Sequence, residues 1–138
     1  MTGPNRLDRL RAIPLFAGLD DAALDRIAQI ATEVDAPSGQ VLTRVDDPGA
    51  GMFVVEQGSV AVELRSRALE LGPGQFFGEL SLLVPDMRRI ARVRATSDVR
   101  LLAVSRADFA ALLESEPRLA VAMLPVLARR LVDETLSK

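Results

Sequence analysis

Leu71-Gly72-Pro73-Gly74-Gln75-Phe76-Phe77-Gly78-Glu79-Leu80-Ser81-Leu82-Leu83, continued by Arg88-Arg89-Ile90-Ala91-Arg92-Val93-Arg94-Ala95, follows neither the period of a strand nor that of a helix. Glycines open this stretch, one helical turn is predicted over Glu79–Leu83, and four arginines (Arg88, Arg89, Arg92, Arg94) close it. In physical outline it is an anion site. The start of a short helix offers unsatisfied backbone N–H groups and the positive end of its dipole. Gly78 lets a backbone approach a ligand closely, and a guanidinium pairs with a phosphate through two parallel hydrogen bonds. Glu79 is an odd neighbour for a bare phosphate. It is a sensible one if the ligand also carries hydroxyls for a carboxylate to accept from.

Outward from this stretch the signal is β. Short runs rich in strand formers cover Gln40–Val45, Met52–Glu56, Ser59–Leu64, Ala68–Leu71, Ile90–Thr96 and Val99–Val104. Val60, Val62 and Leu64 alternate with Ala61 and Glu63, the period of a half-buried strand. Turns are read at Pro37-Ser38-Gly39, Asp46-Asp47-Pro48-Gly49, Gly58 and Gly72-Pro73-Gly74. Short strands at this spacing predict a sandwich, roll or barrel.

Helices are predicted on both sides of the strands in sequence. Residues 6–16 form a short one stopped near Pro14, and an Asp at 20 or 21 caps the next, where Leu24, Ile27, Ala28 and Ala31 make an apolar stripe. Ser105-Arg106-Ala107-Asp108 fits a capping box, with Phe109, Leu112 and Leu113 on the buried face. Pro117 opens a last helix to about Leu136, with Leu119, Met123, Leu127 and Leu131 recurring at every fourth position and Leu124 widening that face. Pro125 predicts a kink or break there.

Composition excludes several classes. The 138 residues contain no His and no Cys, with 49% hydrophobic and 26% charged residues and a net charge of −2. Zinc sites of His or Cys, Ser-His-Asp triads, thiol nucleophiles and disulfides are ruled out, while an all-carboxylate site for Mg²⁺ or Ca²⁺ stays open. The charge balance gives no general nucleic-acid binder. No apolar run is long enough for a membrane span and no signal peptide is read, so the expected location is the cytoplasm, without membrane attachment.

The stretch from Leu71 to Leu80 resembles the phosphate-binding cassette of the cyclic-nucleotide-binding domain family, which includes the catabolite activator protein, regulatory subunits of cAMP-dependent kinase and cyclic-nucleotide-gated channels. Pro14-Leu15-Phe16-Ala17-Gly18-Leu19, Gly39-Gln40-Val41-Leu42, Asp47-Pro48-Gly49 and the run from Met52 to Val62 resemble other parts of that family, so the likeness covers nearly the whole chain. It implies a mainly β fold, a double-stranded β-helix or jelly-roll-like β-roll of about eight strands with flanking N- and C-terminal helices. One domain over 1–138 is expected, with N-terminal helices in 1–33, the β-roll in 34–104, the cassette at 77–95 and C-terminal helices in 105–138. It implies a ligand, cAMP or cGMP, and no cofactor or metal. Glu79 matches the residue that accepts the ribose 2′-hydroxyl, and Gly78, Leu80 and Ser81 match positions whose backbone approaches ribose and phosphate. Arg89, ten residues beyond Glu79, matches the phosphate arginine, with Ile90 beside it; a cassette one residue shorter puts Arg88 there instead.

Two departures bear on function. Ile90 stands where the family usually has a small residue, and Arg92 where many members have Thr or Ser, which favours cAMP over cGMP. Taken alone, Glu79 and Arg89 fit a structural ion pair, and Arg92 and Arg94 share one strand face that is expected to be solvated. The principal expectation is a sensor in which the C-terminal helices swing over the base, with Leu127 or Leu131 as an aliphatic lid. The alternative is a degenerate domain that binds no nucleotide and serves as a dimerisation or docking module through its last helix. No helix-turn-helix follows that helix in this sequence, so no direct DNA binding is expected. An enzyme of cupin type lacks its histidines, and the chain is expected not to be an enzyme.

Overall fold

In the computed structural model, which describes residues 6–43, 51–64, 67–84 and 91–136, the strand-forming runs pair into two antiparallel four-stranded sheets. Strands β1 (Thr32–Ala36), β3 (Gly51–Gln57), β6 (Phe76–Phe77) and β8 (Val99–Ser105) make one, in the order β1-β8-β3-β6. Strands β2 (Val41–Thr43), β4 (Val60–Glu63), β5 (Ala68–Leu71) and β7 (Arg92–Ala95) make the other, in the order β2-β7-β4-β5. Alternation decides what each strand buries. Val55, Phe77, Val99 and Leu101 from the first sheet cluster with Val60, Leu71, Val93 and Ala95 from the second. Each large member of this cluster contributes about 1.5–3 kcal/mol by leaving water. Met52, Val54, Leu102 and Val104, at the intervening positions, are buried as well. This is why β8 reads as a nearly continuous apolar run rather than an alternating one.

The β3–β4 connection shows why glycine is needed at 58. Its φ is +84°, and a Cβ there would lie 2.2 Å from the Asp98 carbonyl oxygen. The close approach is stitched by Ser97 and Thr96. The Ser59 amide donates to Ser97 Oγ at 3.1 Å, and the Thr96 amide donates to the Ser59 carbonyl at 3.0 Å.

Residues Ile30–Phe109 form one compact unit, and the chain before and after them forms a second. The second unit holds α1 (Arg6–Arg11), a single 3-10 turn at Pro14–Phe16, most of α2 (Asp21–Ile30), the later part of α4 (Arg106–Ser115) and α5 (Pro117–Leu136). Asp20 caps α2, accepting from the Ala23 amide at 2.9 Å, and Leu24 and Ile27 of its stripe are fully buried. Arg26 donates to Ser115 Oγ at 2.9 Å and Arg118 to the Gly18 carbonyl at 3.2 Å, tying residues about ninety to a hundred positions apart. Ser105 caps α4 by accepting from the Asp108 amide at 3.2 Å.

The structure departs from the sequence reading in several places. The helix expected over 6–16 ends at Arg11 and resumes only as the 3-10 turn, because Pro14 has no N–H to continue the ladder. Strand β1 was not expected; it is exposed or half-exposed except at Ala36, so it carries no apolar alternation. Ala31 lies beyond the end of α2 although it is buried. The four-residue repeat of α5 is core at Leu119 and Met123, half-buried at Leu127 and exposed at Leu131, and Leu124 is exposed too. A row of every fourth residue drifts by about 40° per step around a helix of 3.6 residues per turn, so it leaves the buried face. No break occurs at Pro125: α5 runs through it. Pro125 and Val121, four residues earlier, are both exposed, so water can serve the carbonyl that proline leaves without a donor.

Candidate ligand site

The cassette begins where β5 ends. Its first turn is tied back onto β3: the Gly74 amide donates to the Val55 carbonyl at 2.7 Å, and the Val55 amide donates to the Gln75 carbonyl at 2.8 Å. The Gln75 side chain closes the same turn, accepting from the Gly72 amide at 2.8 Å. Phe76 and Phe77 then pair with Val54 and Phe53 of β3, and both phenylalanines are buried. Phe77 stacks on Phe53 with ring centroids 5.0 Å apart and an angle of 20° between the planes. Two aromatic anchors and a pair of backbone hydrogen bonds thus fix the approach to Gly78.

Gly78 has φ +90°, a conformation that residues with a Cβ rarely adopt. The chain then enters α3 (Leu80–Leu83), which Glu79 precedes in helical conformation. The Leu82 and Leu83 amides donate to the Glu79 carbonyl at 3.0 and 2.9 Å. The Glu79 side chain does not cap this helix, and it is buried, at 4% exposure. A carboxylate placed so deep requires hydrogen-bond donors around it. Leu80, Leu83 and Val84 are 39–44% exposed and give the segment an apolar outer edge. The structure therefore brings Gly78, Glu79, Leu80 and Ser81 together in one turn. Arg88, Arg89 and Ile90 lie outside the described residues.

On the far side of the cassette β7 resumes the sheet. Arg92 and Arg94 point to its outer face while Val93 and Ala95 are buried. Glu63, opposite Arg92 on β4, accepts from Arg92 Nε and Nη2 at 2.8 and 3.1 Å, and Arg94 Nε lies 3.7 Å away. The hydrogen bond from Arg92 is the main reason the Glu63 carboxyl titrates below its ordinary range; partial desolvation opposes it, and the charges of Arg92 and Arg94 add to it. Sequence reasoning had singled out neither Glu63 nor Thr43, whose hydroxyl donates to the Ala91 carbonyl at 3.3 Å. The sign of Glu63 opposite two arginines was a signal, but one usable only once the β4–β7 register is known.

A separate cleft of about 370 Å³ is lined by Asp35, Ala36, Pro37, Gln57, Asp98, Val99 and Arg100. Its chemistry is wrong for a phosphate. Arg100 is engaged by Asp35 at 2.9 Å, and Asp98 faces the same space while accepting from the Ser38 amide at 3.0 Å. Among the described residues no group of three acidic, His or Cys side chains could hold a metal ion. No described helix is long and apolar enough to cross a membrane.

A roll of two antiparallel sheets is interrupted by a glycine-led turn that buries one carboxylate. The family model of the cyclic nucleotide-binding domain matches residues 33–116, and the chain belongs to that family. It is 41% identical over 109 residues to a cyclic nucleotide-gated potassium channel of Mesorhizobium japonicum, which covers 79% of this chain and 30% of the channel. The crystal structure of the catabolite activator protein of Thermus thermophilus superposes with a TM-score of 0.78 at 34% identity, covering 90% of this chain and 61% of that one. The N-terminal domain of a transcriptional regulator from Streptomyces coelicolor gives a TM-score of 0.65 at 36% identity, with 92% and 94% covered. The chain thus spans under a third of the channel relative and about three fifths of the activator.

Proposed function

We propose that residues 1–138 act as one cytoplasmic sensing module that binds a 3′,5′-cyclic nucleotide, cAMP in preference to cGMP, and has no catalytic activity of its own. The observation that carries this reading is the burial of Glu79 directly after left-handed Gly78, at the start of α3, within the family's cassette. A buried carboxylate suits the vicinal edge of a ribose, whose 2′-hydroxyl donates to it. Backbone groups of Gly78, Leu80 and Ser81 approach the ribose and phosphate, Arg89 pairs with the phosphate, and Ile90 lies beside it. No cofactor or metal enters this scheme.

The competing reading is a degenerate domain, and it rested on Ile90 and Arg92. Arg92 is turned to the outer face and held there by Glu63, which weakens one of those two grounds. The same module offers a surface for a second copy of the chain. Val121, Leu124, Ala128 and Leu131 on α5 are exposed at heptad-like spacing, the pattern of a two-helix seam. With a net charge of −2, no direct DNA contact is assigned to these residues.

Isothermal titration with cAMP and cGMP, with Arg89→Ala alongside, tests the proposal. Micromolar or tighter binding of cAMP that weakens at least about a hundredfold in the variant is expected for a lost two-point, charge-assisted contact of roughly 3 kcal/mol. Tight binding that survives Arg89→Ala moves the phosphate contact to Arg88. No binding of either nucleotide leaves the degenerate module.

A further inference from the structure

Two polar side chains are buried among the described residues: Glu79, at 4% exposure, and Thr43, at 6%. The proposed ribose contact accounts for the first, but no ligand contact accounts for the second. Thr43 ends β2, and its Oγ1 donates to the Ala91 carbonyl at 3.3 Å, the long end for a hydroxyl. The β2–β7 pairing is irregular at this place: Val41 faces Arg94 and Thr43 faces Val93, with a shift of register between them. Such a shift removes a backbone group from the ladder and re-aims the strand. Here the threonine hydroxyl engages the carbonyl of Ala91, itself only 8% exposed.

The next residue is held from the other side. Strand β7 lies between β2 and β4, and from β4 the Glu63 carboxylate grips Arg92 through two hydrogen bonds of 2.8 and 3.1 Å. Two consecutive residues, Ala91 and Arg92, are therefore fixed by both neighbouring strands, one through a buried hydroxyl and one through an ion-pair fork. In sequence, Ala91 stands two positions after Arg89. We infer that Thr43, with Glu63 as the second grip, is a positioning residue that fixes where the segment carrying Arg89 rejoins the sheet, and so governs the phosphate share of ligand affinity. The inference rests on the nucleotide reading proposed above.

Thr43→Val keeps the branched shape and removes the donor; Thr43→Ser keeps the donor. Titrated with cAMP, Thr43→Val is expected to bind about three- to tenfold more weakly, the range for one modest hydrogen bond, and Thr43→Ser to retain most of the affinity. The loss should vanish when Arg89→Ala is also present and persist beside Glu79→Gln, because only coupled sites depart from additivity. In the ligand-free chain, Thr43→Val should also speed amide exchange at Arg92 and Val93. The inference is overturned by wild-type affinity in Thr43→Val, by an equal loss in the Arg89→Ala background, or by unchanged exchange at Arg92 and Val93. Each of these leaves the nucleotide reading standing if the wild-type chain binds cAMP. A wild-type chain that binds no cAMP sinks that reading and this inference with it.

Discussion

Replacing Glu79 by Gln keeps the size of the side chain and removes its charge, so it isolates the carboxylate's dealings with a ribose. Glu79 is 4% exposed, which means that a hydroxyl donating to it does so out of water. Hydrogen bonds to charged groups contribute about 1.5–3 kcal/mol net, a factor of roughly ten to a hundred in Kd. The amide oxygen of Gln still accepts, so the expected weakening for cAMP lies near the lower end, about tenfold. The informative comparison is chemical. Titrating wild type and Glu79→Gln with both cAMP and 2′-deoxy-cAMP closes a cycle in which one arm removes the carboxylate and the other removes the hydroxyl. Wild type should favour cAMP, and the variant should bind the two ligands nearly alike. If Glu79→Gln weakens both ligands by the same factor, the residue acts on the shape of the cassette, and the ribose assignment is wrong.

Two further outcomes concern other positions. Gly58→Ala should destabilise the chain by about 2 kcal/mol or more in urea unfolding, because its φ is +84° and the new Cβ meets the Asp98 carbonyl at 2.2 Å. Gly72→Ala, with nothing within 4 Å of the added carbon, should cost under about 1 kcal/mol. The Glu63 grip should be pH-dependent in one direction. Its carboxyl titrates below its ordinary value of 4.5, chiefly through the hydrogen bond from Arg92, so its contribution is complete only above that ordinary value and is lost as pH falls through the lowered folded one. The difference in urea midpoint between wild type and Glu63→Gln should therefore be present at neutral pH, shrink with salt and close in acid; a difference that persists in acid would refute the ion-pair account.

Much of the architecture was legible because apolar patterning dictates it. The alternation put Val60 and Val62 on the core side of β4, although Ala61 between them is buried too and Val62 only half-buried, and the same period put Arg92 and Arg94 together on the outer face of β7. The caps of α2 and α4 were readable from Asp20 and Ser105, since a cap depends on residues within one turn. What escaped was polar or short. Strand β1 exists because Thr32–Ala36 pairs residue by residue with Val99–Ala103 of β8, a non-local fact that leaves no trace in a segment buried only at Ala36. Strand β6 spans two residues, too few to show a period, and its assignment depends on β3 lying alongside.

The same division runs through the site. The cassette was visible because Gly78 and Glu79 break every local rule at once: a glycine where the helix signal starts, and a carboxylate among Phe76, Phe77, Leu80, Leu82 and Leu83. Local inconsistency of this kind is what a functional site does to a sequence. Thr43 breaks no local rule, because a β-branched residue in a β-run is expected there. Only the register shift against β7 turns its hydroxyl into a tether for Ala91. Residues proposed to touch the ligand therefore announce themselves by conflict with their neighbours in sequence, whereas the residue proposed to position them agrees with its neighbours and acquires that role only across the sheet. In this chain the β2–β7 irregularity is the place where substitutions that look conservative, Thr43→Val above all, should change ligand affinity without changing the fold.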